Sequence, residues 1–150
     1  MTQKNENRKR IAENKKALFQ YLVLDRWEAG IVLSGDEVKA VRRNQVNFKD
    51  SYVQIDQGEC YLIGFHIAYT KSYATAYPDR KRKLLLHKAE IRRLASKVIE
   101  KGLTIIPLSI YLKENLVKIE IGTAKGKTLY DKRQSIKEKE LKQNIRKEFW

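Results

Sequence analysis

The sequence predicts a mainly β fold: a small OB-like antiparallel β-barrel with peripheral helices, followed by a basic C-terminal tail. Three observations predict it. Short alternating, β-branched or aromatic runs recur between Gly- and Asn-containing turn signals. Two stretches carry apolar residues at helical spacing. Nearly all the large apolar residues fall in residues 14–130, whereas residues 1–13 and 131–150 are dominated by charge.

The elements follow in order. Residues 1–13 set Lys4, Arg8, Lys9 and Arg10 against Glu6 and Glu13 with almost nothing apolar, so this zone is expected to be mobile. Residues 17–25 read as a strand from their aromatic and β-branched content, and residues 28–33 continue it after a turn or bulge at Gly30. Ser34 is a candidate helix cap with Glu37 three residues later. Val38 and Val41 form the inner face of that short helix, which ends near Asn44. Residues 51–56 alternate, Gln57-Gly58 is a hairpin turn, and residues 59–68 are the return strand. Residues 87–101 place Ile91, Leu94, Val98 and Ile99 at helical spacing, with Gly102 closing the helix. Residues 104–113 and 116–122 make a last hairpin through Glu114-Asn115. The count is about six short strands and two helices.

The tail, residues 131–150, carries seven Lys/Arg and four Asp/Glu. Leu141, Ile145 and Phe149 recur every four residues as one narrow apolar stripe. A helix with so little apolar surface is marginal alone, so the tail is expected to be disordered when free and helical on a large polyanion.

Composition narrows the function. A chain of 150 residues fits one domain plus tails, and 42% hydrophobic content supports a core. A net charge of +14 points to polyanions, nucleic acid before acidic membrane. No run of about 18 apolar residues is available for a membrane span, and residues 1–16 lack an apolar signal segment, so a cytoplasmic location is expected. Cys60, the single cysteine, lies in an alternating run and reads as a buried strand residue.

Catalysis has little support. His66 and His87 stand apart from other ligating residues, and no nucleophile elbow, phosphate loop or zinc pattern is present. Asp36 and Glu37 sit where acids complement a helix dipole, not where they build a metal site. The reading is a protein with no enzymatic activity, no catalytic or metal residues and no cofactor.

The basic segments carry more weight. Asp79-Arg-Lys-Arg-Lys83 places four adjacent cations in a row, which repel unless an anion compensates them. Just before it, Tyr69, Tyr73 and Tyr77 alternate with small polar residues, a pattern suited to unstacked RNA bases. Gly126, Lys127, Tyr130, Lys132 and Arg133 combine a flexible point, a stacking face and three cations at the root of the tail. Rival readings are a generic single-strand-binding module, a metal-dependent nuclease and a basic structural protein of the ribosome.

Taken together, the chain resembles the small protein B (SmpB) family, the bacterial SsrA- or tmRNA-binding proteins of trans-translation, over residues 13–140. The motifs are Asn14-Lys-Lys-Ala17, Glu28-Ala-Gly-Ile31, Gly35-Asp-Glu-Val-Lys39, Asp50-Ser-Tyr52, Gly58-Glu59, Arg82-Lys-Leu-Leu-Leu-His87, Ile106-Pro-Leu108 and Gly126-Lys127 with Asp131-Lys-Arg133. The resemblance implies an OB-like barrel that binds the tRNA-like domain of tmRNA, delivers it to stalled ribosomes and substitutes for the anticodon arm. It implies a monomer whose tail enters the decoding centre and the vacant mRNA channel, against small-subunit rRNA. By position Asn14, Glu28 and Leu85 match residues that meet tmRNA, with Lys15, Lys39, Arg82, Lys83 and His87 around them. Gly126, Lys127, Tyr130, Asp131, Lys132 and Arg133 match the decoding-centre segment. The chain departs at Asn44, where the family often has Gly, at Ala68, where Pro is frequent, at Ala76, and at Tyr130, where some relatives have His.

Overall fold

The structure is a computed structural model that describes residues 8–69, 77–127 and 133. Along the chain run β1 (Arg8–Glu13), α1 (Lys15–Gln20), β2 (Tyr21–Ile31), α2 (Gly35–Arg42), β3 (Val46–Asn47) and β4 (Tyr52–Asp56). These are followed by β5 (Glu59–Ile63), β6 (His66–Ile67), β7 (Arg82–Leu85), α3 (Lys88–Lys101), β8 (Thr104–Lys113) and β9 (Leu116–Gly126).

β8 organises the sheet. It pairs antiparallel with β9 along its whole length. It also takes β4 at Ile105 and β1 from Ser109 to Lys113. From β9 the pairing continues through β2, β7 and β5 back to β4, so these strands and β8 close on themselves as a barrel. β1 is an added strand outside that ring. Closure leaves no open edge in the ring, the usual way a small antiparallel sheet avoids unpaired backbone. β3 and β6 form a separate short ladder.

Alternation fills the barrel. Leu62, Leu84, Ile110, Ile119 and Ile121 point inward and are fully buried. Phe65 and Phe48 stack tilted at 5.1 Å between ring centroids. α2 adds Ala40 and Val41, and α3 adds Ile91 and Leu94. A second small cluster seats α1 on the barrel through Ala17, Ile106, Leu108 and Ala124. Cys60 is buried as the sequence implied, and burial pushes its thiol up to about 11. It is therefore a packed residue, not a nucleophile, at neutral pH.

The turns obey the local rules that predicted them. Gln57 and Gly58 have φ of 50° and 77°, and Glu114 and Asn115 have 52° and 66°, which are paired left-handed residues of tight hairpins. Ser34 and Glu37 form a full capping box at α2. Gly102 closes α3 at φ 62°, and Asn44 takes φ 57° just past α2, a conformation Asn tolerates in place of Gly.

Four expectations are corrected. Residues 17–20, expected to begin a strand, belong to the helix α1, because the buried Asn14 side chain caps the Ala17 N–H and the helix drops Ala17 into its own apolar pocket. Residues 8–13, part of the charged N-terminal zone, form a strand that pairs with β8, whose edge there has no other partner. β2 passes through Gly30 without a bulge, and its register shifts between Val23 and Asp25 instead. Gly30 sits in close approach to β7: a Cβ there would lie 3.2 Å from Leu85 Cβ, a tight contact. The strand after Gly58 stops at Ile63, because Gly64 turns at φ 81° and sends His66–Ile67 to β3.

Gly122 has the tightest setting. A Cβ there would meet the Asp25 carbonyl oxygen at 2.9 Å and Leu108 Cδ1 at 3.0 Å. Backbone cannot yield as a side-chain tip can, so Gly122→Ala is expected to lower stability by about 1–3 kcal/mol in urea titration.

Candidate nucleic-acid interface

The outer face is set by the same alternation that fills the core. Ala29 lies in the core, so Glu28 and Gly30 on either side of it face outward. Gly30 is paired with Leu85 of β7, whose side chain covers it while remaining 53% exposed. Glu28, Leu85 and Lys83 therefore share one outer face. Lys83 Nζ lies 3.6 Å from Glu59 on the neighbouring strand. His87, two residues beyond Leu85, is exposed, and its backbone N–H donates to Glu90 at the start of α3. Lys15 and Lys39 are exposed on α1 and α2 and have no carboxylate partner among the described residues.

Glu28 is the best connected of these groups. Its Oε2 accepts from Arg8 NH2 at 2.8 Å and from the Tyr111 hydroxyl. Its Oε1 accepts from Lys113 Nζ at 3.2 Å. Burial pushes its carboxyl up, but the Tyr111 and Lys113 hydrogen bonds and the nearby cations outweigh that and hold it below its ordinary value. Tyr111 is pushed the other way, by burial and by the adjacent carboxylate, so its phenol stays a donor. Arg8, Tyr111 and Lys113 were not anticipated from sequence. Recognising Arg8–Glu13 as a strand would have exposed them, because its pairing sets Arg8 opposite Lys113.

Two expected contact residues are interior. Asn14 is buried, with its amide donating to the Pro107 carbonyl at 2.8 Å and its Oδ1 accepting from Ala17 N–H at 3.2 Å. It ties α1 to β8. Arg82 is fully buried: its Nε donates to Glu37 Oε2 at 2.7 Å, and NH1 donates to the Phe65 carbonyl at 2.6 Å. A guanidinium enclosed in this way cannot contact a partner at the surface.

The run at 80–83 is thus compensated from within. Arg80 also donates to Glu37, Lys81 lies 4.2 Å over the Tyr61 ring, and Lys83 faces Glu59. The anion demanded by four adjacent cations is chiefly Glu37, a helix N-terminal acid whose side chain is completely buried. Burial pushes the Glu37 carboxyl up, yet hydrogen bonds from Arg80, the Ser34 N–H and Arg82 hold it below its ordinary value. Among the tyrosines before the run, Tyr69 is a core residue whose hydroxyl accepts from the Tyr77 N–H at 3.0 Å, while Tyr77 is exposed. Tyr73 lies outside the described residues.

At the root of the tail, Gly126 is the last residue of β9, opposite Tyr21. Lys127 continues the contact with α1: its N–H donates to the Gln20 carbonyl at 2.8 Å and its Nζ to the Leu18 carbonyl at 3.2 Å. Arg133 is exposed, and Tyr130, Asp131 and Lys132 lie outside the described residues. No group of acidic, His or Cys side chains among the described residues could hold a metal, and none of their helices is long and apolar enough to cross a membrane.

Comparison with known proteins decides the lineage. The family model described as SmpB protein matches residues 11–150. The chain belongs to the SmpB family. An SsrA-binding protein of Sulfurihydrogenibium is 52% identical over 141 residues, covering 93% of both chains. The SsrA-binding protein of Aquifex aeolicus is 54% identical over 143 residues, covering 93% of this chain and 90% of its own. A chain from the structure described as "tmRNA-SmpB: a journey to the center of the bacterial ribosome" is 43% identical, covers 85% of this chain and 95% of its own, and superposes with a TM-score of 0.67. The mainly β, antiparallel architecture is that of an SmpB protein.

Removing Glu37 strands a buried guanidinium. Glu37→Ala is expected to cost about 3–5 kcal/mol in denaturant unfolding at neutral pH. Because the folded-state pKa of Glu37 is lowered, its contribution is complete above the ordinary carboxylate range and is lost as pH falls through the lowered value. The difference between wild type and Glu37→Ala should therefore be constant near neutrality and shrink only in acid, below about pH 4.

Proposed function

We propose that this protein is the SsrA-binding adaptor of trans-translation: it binds the tRNA-like domain of tmRNA and brings that RNA to stalled ribosomes. The observation that supports this most strongly is full-length similarity, at about half identity, to SsrA-binding proteins together with an SmpB fold. The geometry agrees with it. The chain carries a net charge of +14, and several acids of the barrel, Glu37 and Glu28 among them, are engaged by its own cations. In this reading the protein is a non-enzymatic RNA adaptor that works in the cytoplasm by binding.

The labour divides along the chain. Residues 14–130, extended by β1, hold the tRNA-like domain through the outer face that carries Glu28, Lys83, Leu85 and His87, with Lys15 and Lys39 nearby on their helices. Asn14 and Arg82 support this face from inside. Residues 126–133 form the junction: Lys127 fixes the chain against α1, and Tyr130, Asp131, Lys132 and Arg133 address the decoding centre. Residues 131–150 fold as a helix in the empty mRNA channel, where small-subunit rRNA supplies the polyanion that a charged helix needs.

Deleting residues 131–150 should leave affinity for tmRNA within about threefold, under 1 kcal/mol, while abolishing peptide tagging on stalled ribosomes. A large loss of affinity in a filter-binding assay would contradict this division.

A further inference from the structure

Glu28 is a carboxylate at the centre of a surface that the proposed function assigns to RNA, and a carboxylate repels phosphate. Its hydrogen bonding explains its presence. A carboxylate offers about four lone-pair sites. Three are taken, by Arg8, Tyr111 and Lys113. What remains open is on the cations. The second terminal nitrogen of Arg8 has no hydrogen-bond partner among the described residues, and Lys113 Nζ uses one of its three donors.

The cations are held in place. Arg8 lies over the Tyr111 ring at 4.6 Å, and strand pairing sets it directly opposite Lys113. Arg8 Nε is buried without a partner. The guanidinium also lines a polar cleft of about 270 Å³ together with Arg10, Ser109, Tyr111 and Glu120. Arg8 and Lys113 side chains stay 25% and 35% exposed, so they are reachable from outside. A fixed fork of donors and an ammonium on one carboxylate have the geometry of a phosphodiester clamp.

We infer that Glu28 is a positioning residue, and that the two cations it holds, Arg8 over the Tyr111 ring and Lys113 beside it, grip the phosphate backbone of the bound RNA. This rests on the tmRNA-binding reading above. It assigns RNA contact to β1 and the end of β8, and it removes the need for Glu28 to touch a base. Without Glu28 both cations remain but swing freely, and binding then carries the entropy cost of ordering them.

A double-mutant cycle tests this with a transcribed tRNA-like domain over a series of KCl concentrations. Arg8→Ala with Lys113→Ala should weaken binding about tenfold or more and lower the log–log salt slope by roughly 0.7–0.9 for each phosphate no longer neutralised. Glu28→Gln should weaken binding in the wild-type background but add nothing in the Arg8→Ala/Lys113→Ala background. An equal Glu28→Gln penalty in both backgrounds would mean direct contact and would overturn the proposal. So would an unchanged affinity and slope for the double cation variant, a result that does not depend on how Glu28→Gln folds. Failure of the wild-type chain to bind this RNA would instead sink the functional reading itself.

Discussion

The rest of the structure depends on one buried charge. Glu37 sits at the first turn of α2, fully enclosed, and satisfies Arg82 on β7 and Arg80 just before it. Arg82 in turn donates to the carbonyls of Phe65, Pro78 and Arg80, so one guanidinium ties the segment before β6, the loop into β7 and α2 together. A pair so deeply desolvated is poor evidence of net stabilisation, since apolar replacements often serve as well. Its consequence is geometric. It holds β7 against β2 and β5, and β7 carries Lys83 and Leu85 outward and leads directly into His87 and α3.

This changes how the positive charge is understood. A run of four cations looks like an RNA-binding loop when read as text. Arg82, at the start of β7, turns fully inward, Arg80 reaches the same carboxylate from the loop before it, and Lys81 and Lys83 stay outside, each with a local partner. Acids likewise gather the side chains around them: Glu28 takes Arg8 and Lys113, and Asp79 takes Lys49 and the His66 ring nitrogen. Part of the positive surface is thus a set of cations aimed by carboxylates, beside others such as Lys15 and Lys39 that have no carboxylate partner among the described residues. Aimed cations lose less entropy on meeting phosphate, which favours a structured RNA of fixed shape over any available strand.

Sequence made the locally encoded parts legible. The β4–β5 and β8–β9 hairpins were readable because Gln57-Gly58 and Glu114-Asn115 are turn residues by their own chemistry. α2 and α3 were readable from a capping box and a terminal glycine. What escaped depends on distant partners. β1 is a charged run that becomes a strand because β8 offers an edge, and α1 is a six-residue stretch that runs without a break into the apolar strand at Tyr21, its start marked only by the Asn14 cap. Arg82 reads as a surface cation unless Glu37, 45 residues earlier, is known to lie beside it. The outer-face residues Glu28, Lys83 and Leu85 were legible from motif resemblance, but the partners that give Glu28 its role were visible only in three dimensions.

The most direct measurement is a structure of this chain bound to the tRNA-like domain of tmRNA. The account predicts that RNA phosphate oxygens lie within hydrogen-bond distance of Arg8 and Lys113, that Glu28 keeps its protein partners, and that Arg82 and Asn14 remain enclosed. A Glu28 carboxylate released from Arg8 and Lys113 and hydrogen-bonded to a base, or an Arg82 guanidinium turned out onto the RNA, would contradict it.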